Sequence, residues 1–246
     1  MAIEVVSADT EICMAFIILD TETTGLSLTE DAIVEIAMVR LLQDGTIEKQ
    51  NFNSLVNPNR PIPPVASAIH HLTDRHVANA PALTDISSEI RRYVGEDIIV
   101  AHNAPFDQAF CQPLGLGNAW LCNLRLSRHL WPRAPTHANQ VLRYWLNIDV
   151  DTQGMPPHRA LADALVTAHV FKCALQTFLE GNPGATNTDL LAFASRPIAV
   201  EVMPFGKHTG RPLGEIPTDY VKWALDNVTD MDPDLRWSLK TTHKMN

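Results

Sequence analysis

Four apolar residues run unbroken from Phe16 to Leu19 and stop at Asp20. A short apolar run closed by an acid predicts a buried strand. Residues 33–42 (IVEIAMVRLL) and 46–56 (TIEKQNFNSLV) read as two more strands, flanking Asp44-Gly45, a dipeptide suited to a hairpin turn. The prolines from Pro58 to Pro64 end the third strand. Ile86, Ile90, Tyr93 and Val94 recur at helical spacing, and Gly95 is placed to stop that helix. Residues 98–100 (IIV) predict a further strand leading into Ala101-His102-Asn103. Pro105 then suits a first helical position, where its missing N–H leaves no bond unmade. Residues 136–146 and about 159–179 carry two more helical patterns, the second with Leu161, Leu165, Ala168 and Leu175 on one stripe. The order predicts an α/β fold, a mixed sheet flanked by helices.

Gly181-Asn182-Pro183-Gly184 marks a linker, expected over residues 181–195 with a short helix. It divides a main domain, 14–180, from a small C-terminal domain, 196–246, which holds Phe205, Trp223 and Trp237 with seven basic and seven acidic residues. Residues 1–13 are expected to be a leader. The whole chain has 246 residues, 46% hydrophobic and 19% charged, which suffices for a sizeable core plus this appendage. No window has the roughly 18 uncharged apolar residues of a membrane span, and the N-terminus lacks a basic-then-apolar signal. Cys13, Cys111, Cys122 and Cys173 form no C-x-x-C pair, which fits a reducing cytoplasm rather than a disulfide framework. A net charge of −9 disfavours a protein that coats a duplex through its phosphates. It leaves room for an enzyme that meets a strand end through cations held by carboxylates.

Carboxylates of that kind are present. Asp20 and Glu22 lie two apart at a strand end, so they project from one face and can share a cation. Asp107 falls in His102-Asn103-Ala104-Pro105-Phe106-Asp107, at the start of a helix that the 98–100 strand brings to the same sheet edge. His158 and Asp163, five apart, would sit about 140° from each other on a continuous helix. Pro156-Pro157 implies an extended chain instead, with His158 on the loop before the helix and Asp163 on it, so both can point at one site. His70, His71 and His76 have no further ligands nearby and read as solvated or hydrogen-bonded histidines.

Asp20-x-Glu22, Asp107 and His158-x4-Asp163 resemble, in order and spacing, the three motifs of the DEDDh group of 3′→5′ exonucleases. The stretches D-T-E-T-x-G-L, A-I-H-x-L-T, V-A-H-N-A-x-F-D and H-R-A-L-x-D extend the resemblance from residue 14 to about 180. The tail P-F-G-K-x-x-G-R-P-L resembles a segment that follows the catalytic domain in one bacterial branch; the stretch 111–150 resembles the group more loosely. The resemblance implies a ribonuclease H-like fold and two Mg²⁺ or Mn²⁺ ions held by Asp20, Glu22, Asp107 and Asp163. It implies His158 as general base, and release of 5′-mononucleotides from single-stranded or frayed DNA 3′ ends, in DNA repair. Thr23, Thr24, Gly25, Leu26, His70, Asn103 and Asn139 are the candidates to bind the terminal nucleotide, with the Thr23 amide facing its 3′-hydroxyl and Leu26 wedging against its base. His70 and Asn139 serve equally well as structural hydrogen-bonding residues. An exoribonuclease of the ribonuclease T type, a polymerase-bound proofreading subunit and a catalytically dead binding module are the competing readings. The complete five-residue set argues against the last.

Overall fold

The computed structural model describes residues 15–245. The leader expected over residues 1–13 lies outside them. The chain forms β1 (Phe16–Thr23), β2 (Ile33–Leu41), β3 (Phe52–Leu55), α1 (Pro64–His70), α2 (Asp74–Val77), α3 (Leu83–Val94), β4 (Ile98–Ala101) and α4 (Ala104–Phe110). There follow β5 (Trp120–Cys122), α5 (Asn123–Leu130), α6 (Asn139–Trp145), α7 (Ala160–Gly181) and α8 (Asn187–Ala194), then α9 (Thr218–Asn227) and α10 (Pro233–Thr242).

The strands form one mixed sheet in the order β3-β2-β1-β4-β5, antiparallel from β3 to β1 and parallel from β1 to β5. Its two faces follow from the period-two alternation of β1. Phe16 and Ile18 pack with Val166, Val170 and Phe171 of α7, the rings of Phe16 and Phe171 meeting edge-on at 4.9 Å. Ile17 and Leu19 pack with Ile86, Ile90 and Val94 of α3 on the opposite face. Extending the alternation puts Asp20 and Glu22 on the α7 side. Because β1 and β4 run parallel with Ile18 opposite Val100, their C-terminal ends lie together, and α4 starts beside Asp20.

Several expectations are refined. The turn at Asp44-Gly45 forms, with Gly45 at φ 79°, yet the strand expected over 46–56 shrinks to Phe52–Leu55. Around a bridge between Leu41 and Ile47 the chain still bonds β2, Glu48 N–H to the Arg40 carbonyl at 2.9 Å, but the polar run Lys49-Gln50-Asn51 forms no strand. Pro105 stands second in its helix rather than first. The short strand β5 lies in the 111–150 stretch, where three residues are too few to display an alternation. Residues 181–195 are less a linker than expected: α8 buries Leu190 and Ala194 in the α7-side core, and Phe193 meets Phe178 at 5.2 Å. The first compact unit therefore runs to Ala194 and the second from Ser195.

The second unit has its own core of Met203, Leu213, Ile216, Val221, Ala224, Met231, Leu235 and Leu239. Its tryptophans lie at the surface, Trp223 being 52% and Trp237 41% exposed. Among the described residues, no helix is long and apolar enough to cross a membrane. Cys111, Cys122 and Cys173 carry free thiols.

Candidate active site

The carboxylates gather where β1 ends. Glu22, His158 and Asp163 bring one ligand atom each within 4.8 Å of one another. Asp20 feels the charges of Asp107, Asp163, Glu22 and Glu35. On the other side of the strand, the Thr21 amide and hydroxyl donate to Asp107 Oδ1 at 3.0 and 2.7 Å, which turns the α4 carboxylate toward β1.

His158 lies on the loop before α7, with its backbone at φ 62°, in the left-handed region. Its amide donates to Asp163 Oδ2 at 2.8 Å, and the Gln140 side-chain amide donates to Asp163 Oδ1 at 3.0 Å. Both oxygens of Asp163 are thus held in place. The separation of loop histidine and helix carboxylate read from Pro156-Pro157 is what the chain adopts.

A brace fixes the start of α7. Arg159 donates to Glu35 of β2 in fork geometry, Nε at 3.0 Å and an Nη at 2.7 Å, and the Ala160 amide donates to the same carboxylate at 3.0 Å. Glu35 is 1% exposed, so its charge is satisfied by the guanidinium and by a helix N-terminal N–H. Neither residue was singled out by spacing. Their adjacency depends on the pairing of Glu22 with Glu35 across β1 and β2. Glu35→Ala is expected to cost on the order of 2–4 kcal/mol, toward the low end because Arg159 keeps some solvent. The same change is expected to lower kcat, since His158 precedes the released arginine. An unchanged urea midpoint together with unchanged kcat would contradict the role of the brace.

Burial and mutual repulsion set the electrostatics. Burial, then the charges of Asp107, Asp163, Glu22 and Glu35, hold the Asp20 carboxyl well above the ordinary range. Glu22 is pushed up to about 8, chiefly by burial and then by Asp163. Asp107 rises to about 7 through burial, opposed by its bonds from Thr21. A site that resists ionisation in this way calls for compensating positive charge. Its donors are carboxylate oxygens with an adjacent imidazole, and hard divalent cations such as Mg²⁺ fit that set.

Beside the carboxylates opens a cleft of about 310 Å³, lined by Glu22, Thr23, Leu26, Ile69, His70 and Phe106 among others. Leu26 is 83%, Val65 74% and Ile69 52% exposed, so the cleft has an apolar rim. The remaining candidates divide by what their side chains already bond. The Thr23 hydroxyl donates to the Gly25 carbonyl at 2.6 Å, and the Thr24 hydroxyl donates to Asp31 Oδ1 at 2.7 Å. A β-carbon on Gly25 would lie 2.4 Å from Asp31 Oδ2, so a larger residue there would push the Asp31 carboxylate off its bonds from Thr24 and Ser27. His70 is 1% exposed, accepts from the Leu72 amide at 3.0 Å and faces the Thr23 backbone. Asn139 donates to the Asp163 carbonyl at 3.2 Å and to the Thr167 hydroxyl at 2.9 Å, tying α6 to α7. Asn103 sits exposed at the start of α4 without capping it. Val65 and Ile69 were not among the candidates, although Ile69 lies in the A-I-H-x-L-T stretch, because α1 becomes a wall of the cleft only through packing.

Known proteins resemble this chain. The profile of the exonuclease family matches residues 17–171, which span all five motif residues. A second profile, described as a putative quorum-sensing-regulated virulence factor, matches residues 195–228. Exodeoxyribonuclease 10 of Escherichia coli (strain K12) is 35% identical over 227 residues, covering 91% of this chain and 96% of its own. The DNA polymerase III subunit epsilon of Treponema pallidum (strain Nichols) is 31% identical over 71% of this chain and 82% of its own. Among solved structures, exonuclease X in complex with 5′ overhanging duplex DNA matches with a TM-score of 0.61 at 35% identity, covering 73% of this chain and 99% of that one. The nuclease domain of 3′hExo, a DEDDh family member bound to rAMP, shares the fold at a TM-score of 0.54 and 20% identity, over 66% of this chain and 92% of its own. With its sheet, its acidic cluster and these relatives in agreement, the chain belongs to the exonuclease family.

Proposed function

We propose that this exonuclease degrades DNA from the 3′ end by hydrolysis, releasing 5′-mononucleotides, and that it serves DNA repair. The observation that carries the reading is the convergence of Glu22, His158 and Asp163 within 4.8 Å beside Asp20 and Asp107. Asp20, Glu22, Asp107 and Asp163 would hold two divalent ions, Mg²⁺ or Mn²⁺. Such ions would neutralise the scissile phosphate and stabilise both the attacking and the leaving oxygen.

His158 takes the proton from the water that attacks phosphorus, and the bond from phosphorus to the 3′-oxygen of the penultimate nucleotide breaks. That oxygen leaves with a proton from solvent and becomes the new 3′-hydroxyl. The Glu35–Arg159 brace and the bond from the His158 amide to Asp163 keep the imidazole beside the carboxylates. The terminal base enters the apolar-rimmed cleft, with Leu26 against its face and the Thr23 amide near the 3′-hydroxyl. The second reading, an exoribonuclease, shares every one of these groups, so the sugar-facing side of the cleft decides between them.

A 5′-labelled single-stranded DNA oligomer incubated with the protein and Mg²⁺ is expected to give a ladder that shortens from the 3′ end. Chelation, or Asp163→Ala, abolishes it. A ladder on the matching RNA alone would move the protein to the ribonuclease branch. Full activity of the Asp163→Ala protein would remove the carboxylate mechanism.

A further inference from the structure

The unit beginning at Ser195 carries a hollow of its own, about 560 Å³, lined by Lys207, His208, Pro217, Asp219, Tyr220 and Trp223. Its construction starts in Phe205-Gly206-Lys207-His208. Gly206 adopts φ 71°, and a β-carbon there would lie 2.5 Å from the Tyr220 hydroxyl, so only glycine lets the chain wrap this tyrosine. The His208 ring meets Tyr220 edge-on at 4.6 Å, and Trp223 lies against Tyr220 at 5.5 Å with a 34° tilt. The Lys207 ammonium sits 5.0 Å over the Tyr220 ring, and the Arg211 guanidinium lies 3.4 Å from His208 Nδ1.

Three features of this surface point to a ligand. Trp223 keeps 52% of its surface in water although the unit has an aliphatic core that could have taken a smaller residue there. His208 is only 8% exposed, and its Nε2 has no hydrogen-bond partner among the described residues, an unspent polar atom beside the hollow. The charge is also uneven. Seven basic and seven acidic residues cancel over 196–246, but two cations, Lys207 and Arg211, stand at the aromatic cluster, where Asp219 is the one lining carboxylate. Flat aromatic faces flanked by cations suit a flat, electron-rich ring joined to an anion.

We infer that this hollow is a second nucleic-acid contact: an unpaired base of single-stranded DNA stacks on Trp223 and Tyr220, and Lys207 and Arg211 meet the adjoining phosphates. The inference rests on the DNA reading above. It gives the C-terminal unit a task suited to an acidic chain, holding a strand through one or two nucleotides rather than through a broad basic face.

The full chain, in chelator so that nothing is cut, is titrated against a long fluorescein-labelled oligothymidylate and read by anisotropy. Trp223→Ala is expected to raise Kd roughly five-fold or more, the loss of one base stack. Lys207→Ala is expected to raise Kd and to flatten the dependence on salt. Trp237→Ala, an exposed tryptophan of the same unit outside the hollow, is expected to bind as the parent does. Unchanged melting temperatures exclude unfolding as the cause, as the exposure of Trp223 leads one to expect. Equal affinity of all three variants, or equal weakening by Trp237→Ala, overturns the inference. If the parent chain still degrades DNA in Mg²⁺, that failure leaves the exonuclease reading standing; a parent that neither binds nor cuts DNA overturns both.

Discussion

Asp20→Asn protein is expected to lose turnover by about 10³-fold or more and yet to melt at a higher temperature than the parent chain when both are metal free. The two effects have one cause. Without cations, Asp20 shares its surroundings with the carboxylates of Asp107, Asp163, Glu22 and Glu35, and burial together with those charges holds its carboxyl well above the ordinary range. Glu22 at about 8 is raised by burial and then by Asp163, and Asp107 at about 7 by burial. In the unfolded chain all three ionise near pH 4. Between about pH 4 and 8 the folded protein therefore holds protons that the unfolded chain has released, and its stability falls as pH rises through that window. An asparagine removes one of the repelling charges and so lessens the loss. Melting curves in chelator at pH 5.5, 7 and 8.5 are the measurement, with the gap between variant and parent widening toward the alkaline end. Added Mg²⁺ is expected to raise the parent's melting temperature more than the variant's. A variant that is less stable than the parent at every pH, or that still turns over, would overturn the electrostatic account.

His158→Asn is expected to lower kcat by roughly 10²–10⁴ with little change in KM. Asparagine is chosen because His158 sits at φ 62°, where a β-carbon ordinarily costs about 1–2 kcal/mol and asparagine is among the residues that tolerate the conformation. The hydrogen bond from the residue-158 backbone N–H to Asp163 and the lead-in to the Glu35–Arg159 brace are kept, so only the proton acceptor is removed. Single-turnover rates at saturating DNA measure the effect, with a melting curve to establish that the loop is intact. Parent-like rates in this variant would assign the proton transfer to another group.

Both tests concern residues that could be named before any coordinates. Asp20 and Glu22 stand two apart after an apolar strand, and that spacing alone places them on one face. His158 follows two prolines that keep it off the helix, whereas Asp163 falls inside the helical segment that carries Leu161 and Leu165. Local chemistry of this sort survives folding because it depends on neighbours within a few residues. The hairpin turn at Gly45, the stop at Gly95 and the strand from Ile98 were legible for the same reason.

What supports these residues was not legible. Glu35 and Arg159 are 124 positions apart, and Thr21 and Asp107 are 86 apart. Each contact needs the strand register and the placing of a helix on the sheet, quantities set by the packing of two whole faces. Gln140 reaches Asp163 only because α6 lies against α7. The short β5 and the burial of α8 likewise follow from the core they join rather than from any pattern within them. In the C-terminal unit the sequence displayed its tryptophans and its glycines, but the clustering of Lys207, His208, Tyr220 and Trp223 around one hollow required the turn at Gly206 to close on α9. The amino-acid sequence by itself determined which groups are the candidates for the chemistry, because spacing and residue type dictate what a carboxylate pair or an imidazole can do. Only the tertiary structure decided what holds them at that distance, because long-range contacts depend on how entire elements pack.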